Sequence, residues 1–541
     1  MKTIYTGGRV FTGDAALQEA FIVADGRFTA VGTDAEMLAL ATPEDEVIPL
    51  GGRFVCPGFN DSHMHLLNFG NVMTQCALGD ATSLADLQQR LRSFAAEHHI
   101  ADDHWLLGRG WNQDRFTPAT GIPTRDDLDA VSDTLPICIV RCCGHCLVVN
   151  SRALALLELD ENTPCPPGGA IDRDASGRLT GVFRDAAMPL VQSRLPAPDR
   201  SAIKAMLVSG MQALNRVGVT SCQTDDLCCF ANVPWTEVLA AYRELEAEGR
   251  MTVRVYEQCQ FTDVAGLLGF LEAGHRTGSG SEWFRIGPMK LLGDGSLGAR
   301  TAFLSGEYAD APGERGIAIF TQDELNAMIS LAHISGMQIA VHSIGDGMLD
   351  MLLKAYRKAF AQAPRRDHRS GVVHVQLTRP DQLRAMKRLK LHAYVQSVFL
   401  DYDSHIVHDR AGKELADSSY AFHTMQSLGL HVSNGTDCPV EAPNPMRGVQ
   451  CAVTRQPLDG SLAPYRPEEA MSVAEALNSY TAEGAYASFE EGFKGRIAPG
   501  MAADFAVLSG DPFAVPAHEI ARIRAVLTVL GGKTVYTEGG M

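Results

Sequence analysis

A nucleic-acid binder would carry a basic stripe, and this chain has none. Its 64 Asp and Glu outweigh 47 Lys and Arg to give a formal charge of −17, with the acidic residues dispersed rather than run together. That balance speaks against nucleic acid as a partner and for a soluble protein. Also missing is any apolar run near the roughly 20 residues that a bilayer-spanning helix needs, and the opening Met1-Lys2-Thr3-Ile4 leads into none. The 13 cysteines are scattered, without the spacing of a disulfide framework. These absences make a reducing cytoplasm the expected location and leave no reason to expect a membrane partner.

What is present begins with length. At 541 residues the chain exceeds one average domain, so a large barrel with an added module or insertion is the natural expectation. An apolar strand pattern starting at Arg53 runs through Pro57-Gly58-Phe59-Asn60-Asp61-Ser62 into His63-Met64-His65. Alternate side chains of an extended segment share a face, so His63 and His65 point the same way and can grip one ion. Alone, such a pair is more often a surface or core feature. Downstream, however, Lys290, His342, His374 and Asp437 each close a short apolar, strand-like run.

The order H-x-H, Lys, His, His, Asp resembles the metal ligands of the amidohydrolase superfamily. The resemblance implies an α/β fold, a distorted TIM (β/α)8 barrel, with these ligands at the carboxyl ends of barrel strands one, four, five, six and eight. Alternation of strand and helix runs in step with it: strands at 218–224, 251–258, 284–291, 338–342, 370–374, 392–398 and 431–440, with helices at 235–248 and 264–273 between the early ones. Asp346, after the fifth strand, reads as a helix cap. His405 and His408 lie in a polar loop outside the expected site.

Both chain ends read as β. Short strand patterns at 3–5, 21–24, 28–31 and 47–49 sit between glycine turns, and patterns at 523–529 and 533–537 follow Pro499-Gly500-Met501-Ala502-Ala503-Asp504. That segment resembles the family's closing strand. It implies one β-sandwich made of residues 1–52 and 488–541 beside a hydrolase barrel at 53–487.

From about 70 to 200 the alternation fails, and a connection this long is expected to be an insertion subdomain with a role at the site mouth. Gly108-Arg109-Gly110-Trp111-Asn112-Gln113, Gly144-His145-Cys146 through Ser151, and Gly168-Gly169-Ala170-Ile171-Asp172-Arg173-Asp174 resemble the N-substituted formamide deformylase and YtcJ-like subgroup. Asn112 stands where Asp is expected, and Asp185 where Glu is expected. Trp111 and His145 are candidates for lining a substrate pocket, since an aromatic and an imidazole suit a site that orders an apolar substrate; packing inside the insertion is the alternative. Cys142, Cys143, His145 and Cys146 are crowded, but a structural zinc site pairs two separated ligand groups and no partner knuckle is visible. Asn150-Ser151 reads as a helix start.

The resemblance implies one or two divalent cations, zinc above all, held by His63, His65, Lys290, His342, His374 and Asp437. A free ammonium would repel a cation, so Lys290 is expected as a carbamate bridging two ions, or else as a salt-bridging lysine beside one. Asp437 is the expected proton shuttle. The implied activity is hydrolysis of a non-peptide C–N bond in a small-molecule amide, an N-substituted formamide among the options. A cyclic-amide hydrolase, a deaminase and a catalytically silent binding scaffold are the alternatives, and the family implies a homodimer.

Overall fold

Eight short segments form one parallel sheet, the chain returning along the sheet between them through crossover connections. In a computed structural model these strands are Phe59–Met64, Val219–Thr224, Arg254–Gln260, Phe284–Leu292, Ile339–Ser343, Gly371–His374, His392–Val395 and Val432–Asn434, each paired in parallel with the next. The structure describes the whole chain except residues 1, 15, 102–103, 143–145, 167–168, 186, 231 and 540–541. The fold is α/β, a distorted and nearly closed TIM barrel with further sheets attached.

The seam between strands one and eight shows why the barrel is distorted. Among the described residues no ladder joins them; single hydrogen bonds do so instead. Asp437 N–H donates to the His63 carbonyl at 2.8 Å, and His65 N–H to the Cys438 carbonyl at 2.8 Å. Asp61, fully buried on strand one, accepts the Thr436 N–H at 3.0 Å and the Thr436 hydroxyl. Burial pushes its carboxyl up to about 7 against those donors. Strands seven and eight are shorter than the sequence pattern implies. After Val395 the chain turns into a 3-10 segment, Ser397–Phe399, whose first N–H is taken by the Asn434 side chain at 2.9 Å rather than by a neighbouring strand.

Inside the barrel, helix Ala482–Ala487 supplies carbonyls to two buried amides. Gln223 donates to Gly484 at 2.9 Å and Gln338 to Ala487 at 2.8 Å. Those two amide nitrogens are thus met, while the Asn60 amide, the Ser62 hydroxyl and the Gln223 oxygen stay buried without a partner among the described residues.

Two more sheets come from the chain ends. One is ordered Arg27–Gly32, Ala20–Ala24, Thr3–Thr6, Glu46–Pro49; the other is Arg9–Val10, Phe54–Pro57, Phe505–Leu508, Ala525–Leu530, Lys533–Thr537. Tyr5, Phe21, Phe28 and Phe505 pack between them, with the Phe21 and Phe505 ring centroids 5.0 Å apart. The run beginning at Arg53 therefore serves two sheets. Phe54–Pro57 pairs with Phe505–Leu508, and at Gly58 the chain passes into barrel strand one. A side chain at Gly58 would collide with Thr220, its Cβ falling 2.1 Å from Oγ1, so the crossover needs glycine.

Residues 67–206 and 230–234 form a separate compact unit. Its six-stranded sheet is ordered Gly169–Arg173, Leu179–Asp185, Cys146–Val149, Ile137–Arg141, Leu106–Trp111, Cys76–Ala77. Apolar residues cover both faces, with Leu87, Leu91, Trp111 and Leu128 in one cluster and Leu147, Leu154, Phe183 and Val191 in the other. The expected helix start is there: Asn150 caps Ser151–Leu156 by accepting the Ala153 N–H at 3.0 Å. Among the described residues no helix is long and apolar enough to cross a membrane.

Candidate metal centre

In a parallel barrel the carboxyl ends of all strands open on one face, and residues there come together although they are far apart in sequence. Strand one presents His63 and, one residue past its end, His65. Lys290, His342 and His374 lie on strands four, five and six, and Asp437 three residues beyond strand eight. His374, Val375 and Asp437 have φ of 76°, 49° and 57°, a left-handed region that a β-branched residue such as Val rarely enters. Each such residue costs about 1–3 kcal/mol, which the surroundings must offset. Part of the offset is the Val375 N–H bond to the Ser343 carbonyl at 3.2 Å and the seam bond from Asp437.

The side chains form one continuous cluster. His65 Nε2 lies 3.0 Å and His63 Nε2 3.3 Å from Asp437 Oδ1. Lys290 Nζ is 3.5 Å from His63 Nε2 and 2.9 Å from Asp225 Oδ2. Asp225 also meets His65 Nδ1. The His374 ring stands edge-on to His63 at 5.6 Å and to His342 at 4.3 Å, and Phe399 stacks on it at 5.8 Å. His342 turns Nε2 toward the Gly295 carbonyl at 3.1 Å and Asp294 at 3.3 Å.

Two glutamines decide the tautomers. Gln258 amide N–H donates to the Ser62 carbonyl at 3.1 Å, which leaves its oxygen facing His63 Nδ1 at 2.8 Å. Nδ1 must then carry the proton, and Nε2 keeps a lone pair toward Asp437 and Lys290. Gln396 also turns its oxygen to His374 Nδ1, at 2.7 Å, with its own amide nitrogen buried without a partner among the described residues. Burial, reinforced by Lys290 and neighbouring histidines, holds the pKa of both rings well below the usual imidazole value, so both are neutral. His65 is the opposite case: burial disfavours its charge, but Asp225 and Asp437 outweigh burial and keep it protonated. Asp225 stays ionised despite burial because of His65 and Lys290.

Donor chemistry at this mouth fits a divalent ion. His63, His65 and Asp437 each offer a ligand atom, all within 4.8 Å of one another, and two imidazoles with a carboxylate are a zinc-type donor set once His65 gives up its proton. The buried Lys290 ammonium fits such an ion only when Asp225 balances its charge or when it is modified.

Sequence reasoning missed Asp225, Gln258 and Gln396. Their signal was a polar residue within two positions of the end of barrel strands two, three and seven, the strands given no ligand. Trp111 lies in the core of the separate unit and is 0% exposed, with no partner for its indole N–H among the described residues. His145 and Cys143 lie outside the described residues. Asp346 is the first helical residue after the Gly345 cap; it accepts the Ser305 N–H at 2.9 Å and pairs with Arg379.

Comparison with known proteins extends this geometry to a family. A family model described as the amidohydrolase family matches residues 46–536. The Bacillus subtilis (strain 168) protein YtcJ, named as an amidohydrolase, is 32% identical over 99% of both chains. The N-substituted formamide deformylase of Arthrobacter pascens is 25% identical over 96% of this chain and 95% of that one. Among solved structures, an uncharacterized metal-dependent hydrolase from Pyrococcus furiosus superposes with a TM-score of 0.79 at 29% identity, covering 95% of this chain and 100% of the other. A match over nearly the whole length, on a barrel whose strand ends gather histidines, a lysine and an aspartate, means that the chain belongs to the amidohydrolase family.

Proposed function

We propose that this protein is a metal-dependent hydrolase that cleaves a non-peptide C–N bond of a small amide, an N-substituted formamide or a related compound. The observation that carries the proposal is the meeting of two neutral imidazoles, His63 and His374, with His65 and the Asp437 carboxylate at one barrel mouth. His63, His65 and Asp437 would hold one divalent ion, zinc by preference, and His342 and His374 a second. When bound, such an ion supplies an acidified water and a Lewis acid for the scissile carbonyl.

The chain's own residues supply the rest. Asp437 accepts a proton from the attacking water and returns it to the leaving nitrogen, which departs poorly as an anion. Gln258 and Gln396 keep the lone pairs of His63 and His374 turned inward. Lys290 has two coherent roles. As a carbamate it would add an anionic oxygen ligand between two ions; as an ammonium beside Asp225 it accompanies one. The first belongs to the two-ion enzyme and the second to the one-ion enzyme, in which Asp225, 2.9 Å from Nζ, balances the ammonium charge.

Elemental analysis combined with a screen of formamides, cyclic amides and N-acyl amino acids tests the proposal. At least about one equivalent of divalent ion is expected, lost in the His63→Ala, His65→Ala double variant, with hydrolysis of an open-chain amide. Protein that neither contains nor takes up zinc would overturn it. Turnover of cyclic amides or amino-substituted bases alone would move the activity within the family.

A further inference from the structure

Beside the metal centre lies a cavity of about 220 Å3 whose walls come from the loops after barrel strands four to eight. Phe399 joins the two features, lining the cavity and stacking on His374. Leu297, Ile344, Phe399, Tyr402 and Val440 make most of it apolar, and Tyr402 and Val440 are 60% and 64% exposed at its rim. Its charged groups are both carboxylates, and the Ser296 and Tyr402 hydroxyls are its neutral polar groups beside Gln376. The carboxylates are Asp403 and Glu441, and among the described residues no Lys, Arg or His lines the cavity.

Gln376 is the telling residue. It is buried, and its amide nitrogen donates both to Asp403 Oδ2 at 2.7 Å and to the Tyr420 hydroxyl at 2.8 Å. Those two bonds fix the amide orientation and leave Oε1 buried without a hydrogen-bond partner among the described residues. A buried acceptor left unmet costs about 1–3 kcal/mol, so it marks a place where a donor is wanted. Two carboxylates lie beside it. Asp403 is engaged by Gln376 and by the Tyr420 hydroxyl at 2.7 Å, while the nearest cation to Glu441, Arg447, stands 3.8 Å off and closer to Asp401, at 3.3 Å.

We infer that this cavity receives an aliphatic ammonium group carried by the substrate on an apolar stem, and that it rejects an anionic group at that position. An ammonium supplies three donors and a charge: one N–H for Gln376 Oε1, the charge for Glu441 and Asp403, the stem for Phe399, Tyr402 and Val440. Burial pushes Glu441 up to about 7 and Asp403 up to about 6, so a cation placed between them relieves two carboxylates at once, whereas an anion would add to the burden. The inference rests on the hydrolase reading for calling the occupant a substrate, and it narrows that substrate to amides bearing an amino group away from the scissile bond.

Equilibrium binding tests it without turnover. Hexylammonium and hexanesulfonate, equal in stem and opposite in charge, are titrated calorimetrically into the metal-loaded protein at neutral pH. The ammonium should bind at least about tenfold more tightly, the scale of one charge-assisted hydrogen bond. Glu441→Gln, on a half-buried residue and nearly isosteric, should weaken ammonium binding several-fold while leaving the melting temperature in place; Gln376→Met, checked for folding in the same way, should weaken it too. Sulfonate binding as tightly, neither probe binding, or ammonium affinity unchanged in both folded variants overturns the inference. Ammonium binding of this pattern in a protein that hydrolyses no amide would leave the cavity assignment standing and remove the hydrolase reading alone.

Discussion

Gln258 faces His63 with its carbonyl oxygen 2.8 Å from Nδ1, and this contact decides which ring nitrogen is offered to the barrel mouth. Because the other end of the Gln258 amide is tied to Ser62, the glutamine cannot flip without losing a buried bond. Gln258→Leu should therefore fold, yet bind zinc about 10- to 100-fold more weakly, the usual effect of removing a residue that orients a ligand. Competition with a chelating dye measures this. Unchanged affinity would show that His63 holds its tautomer unaided.

The protonated state of His65 sets a pH dependence. Its pKa is raised by Asp225 and Asp437 against burial, so the proton persists above the ordinary imidazole range and competes with any cation for the ring. Zinc affinity should climb as pH rises through and beyond that range, and binding should release about one proton per ion from this group. Calorimetry in two buffers of different ionisation heat counts the protons. Affinity that is flat with pH would argue that His65 is no ligand.

Lys290 separates the one-ion from the two-ion enzyme. In the two-ion case Lys290→Ala should bind fewer ions than wild type, and short carboxylic acids should restore part of the activity by supplying the missing oxygen ligand. Native mass measurement should show a carbon dioxide adduct on metal-loaded wild type. An unmodified ammonium still paired with Asp225 in a fully metal-loaded crystal would establish the one-ion form.

Asp437→Asn keeps shape and removes basicity. The variant should retain most of its metal and lose about two to four orders of magnitude in kcat. Near wild-type turnover by the metal-loaded variant would assign the proton transfer to another group.

Arg254 on barrel strand three and Asp504 before the closing sandwich strand form a buried pair, with Nε to Oδ2 at 2.7 Å, and Asp504 also takes the Gly531 N–H at 2.7 Å. Trp283 and Phe493 sandwich the guanidinium. Asp504→Ala leaves a buried cation and should cost about 3–5 kcal/mol in urea denaturation, while an Arg254→Met, Asp504→Leu double replacement should recover most of it. A loss under about 1 kcal/mol would mean that water reaches the arginine.

The sequence alone was enough for the barrel strands, and the family resemblance pointed to the residues at their ends that the structure gathers at one mouth. A metal site restricts residue type and a strand end restricts position, so His63, His65, Lys290, His342, His374 and Asp437 stood out as chemistry-bearing residues closing apolar runs. The sheets from the two chain ends were legible for a similar reason, since alternating patterns and glycine turns are local properties. Pairing was not local. Phe54–Pro57 leaves the barrel run to pair with a segment about 450 residues away, because Gly58 lets the chain cross at Thr220. The shortening of strands seven and eight likewise depends on Asn434 reaching Ser397. Only the tertiary structure could bring Asp225 to Lys290, set the His63 tautomer through Gln258, and leave the Gln376 oxygen without a partner among the described residues, because each depends on a distance between side chains on different elements, which no pattern along one strand encodes.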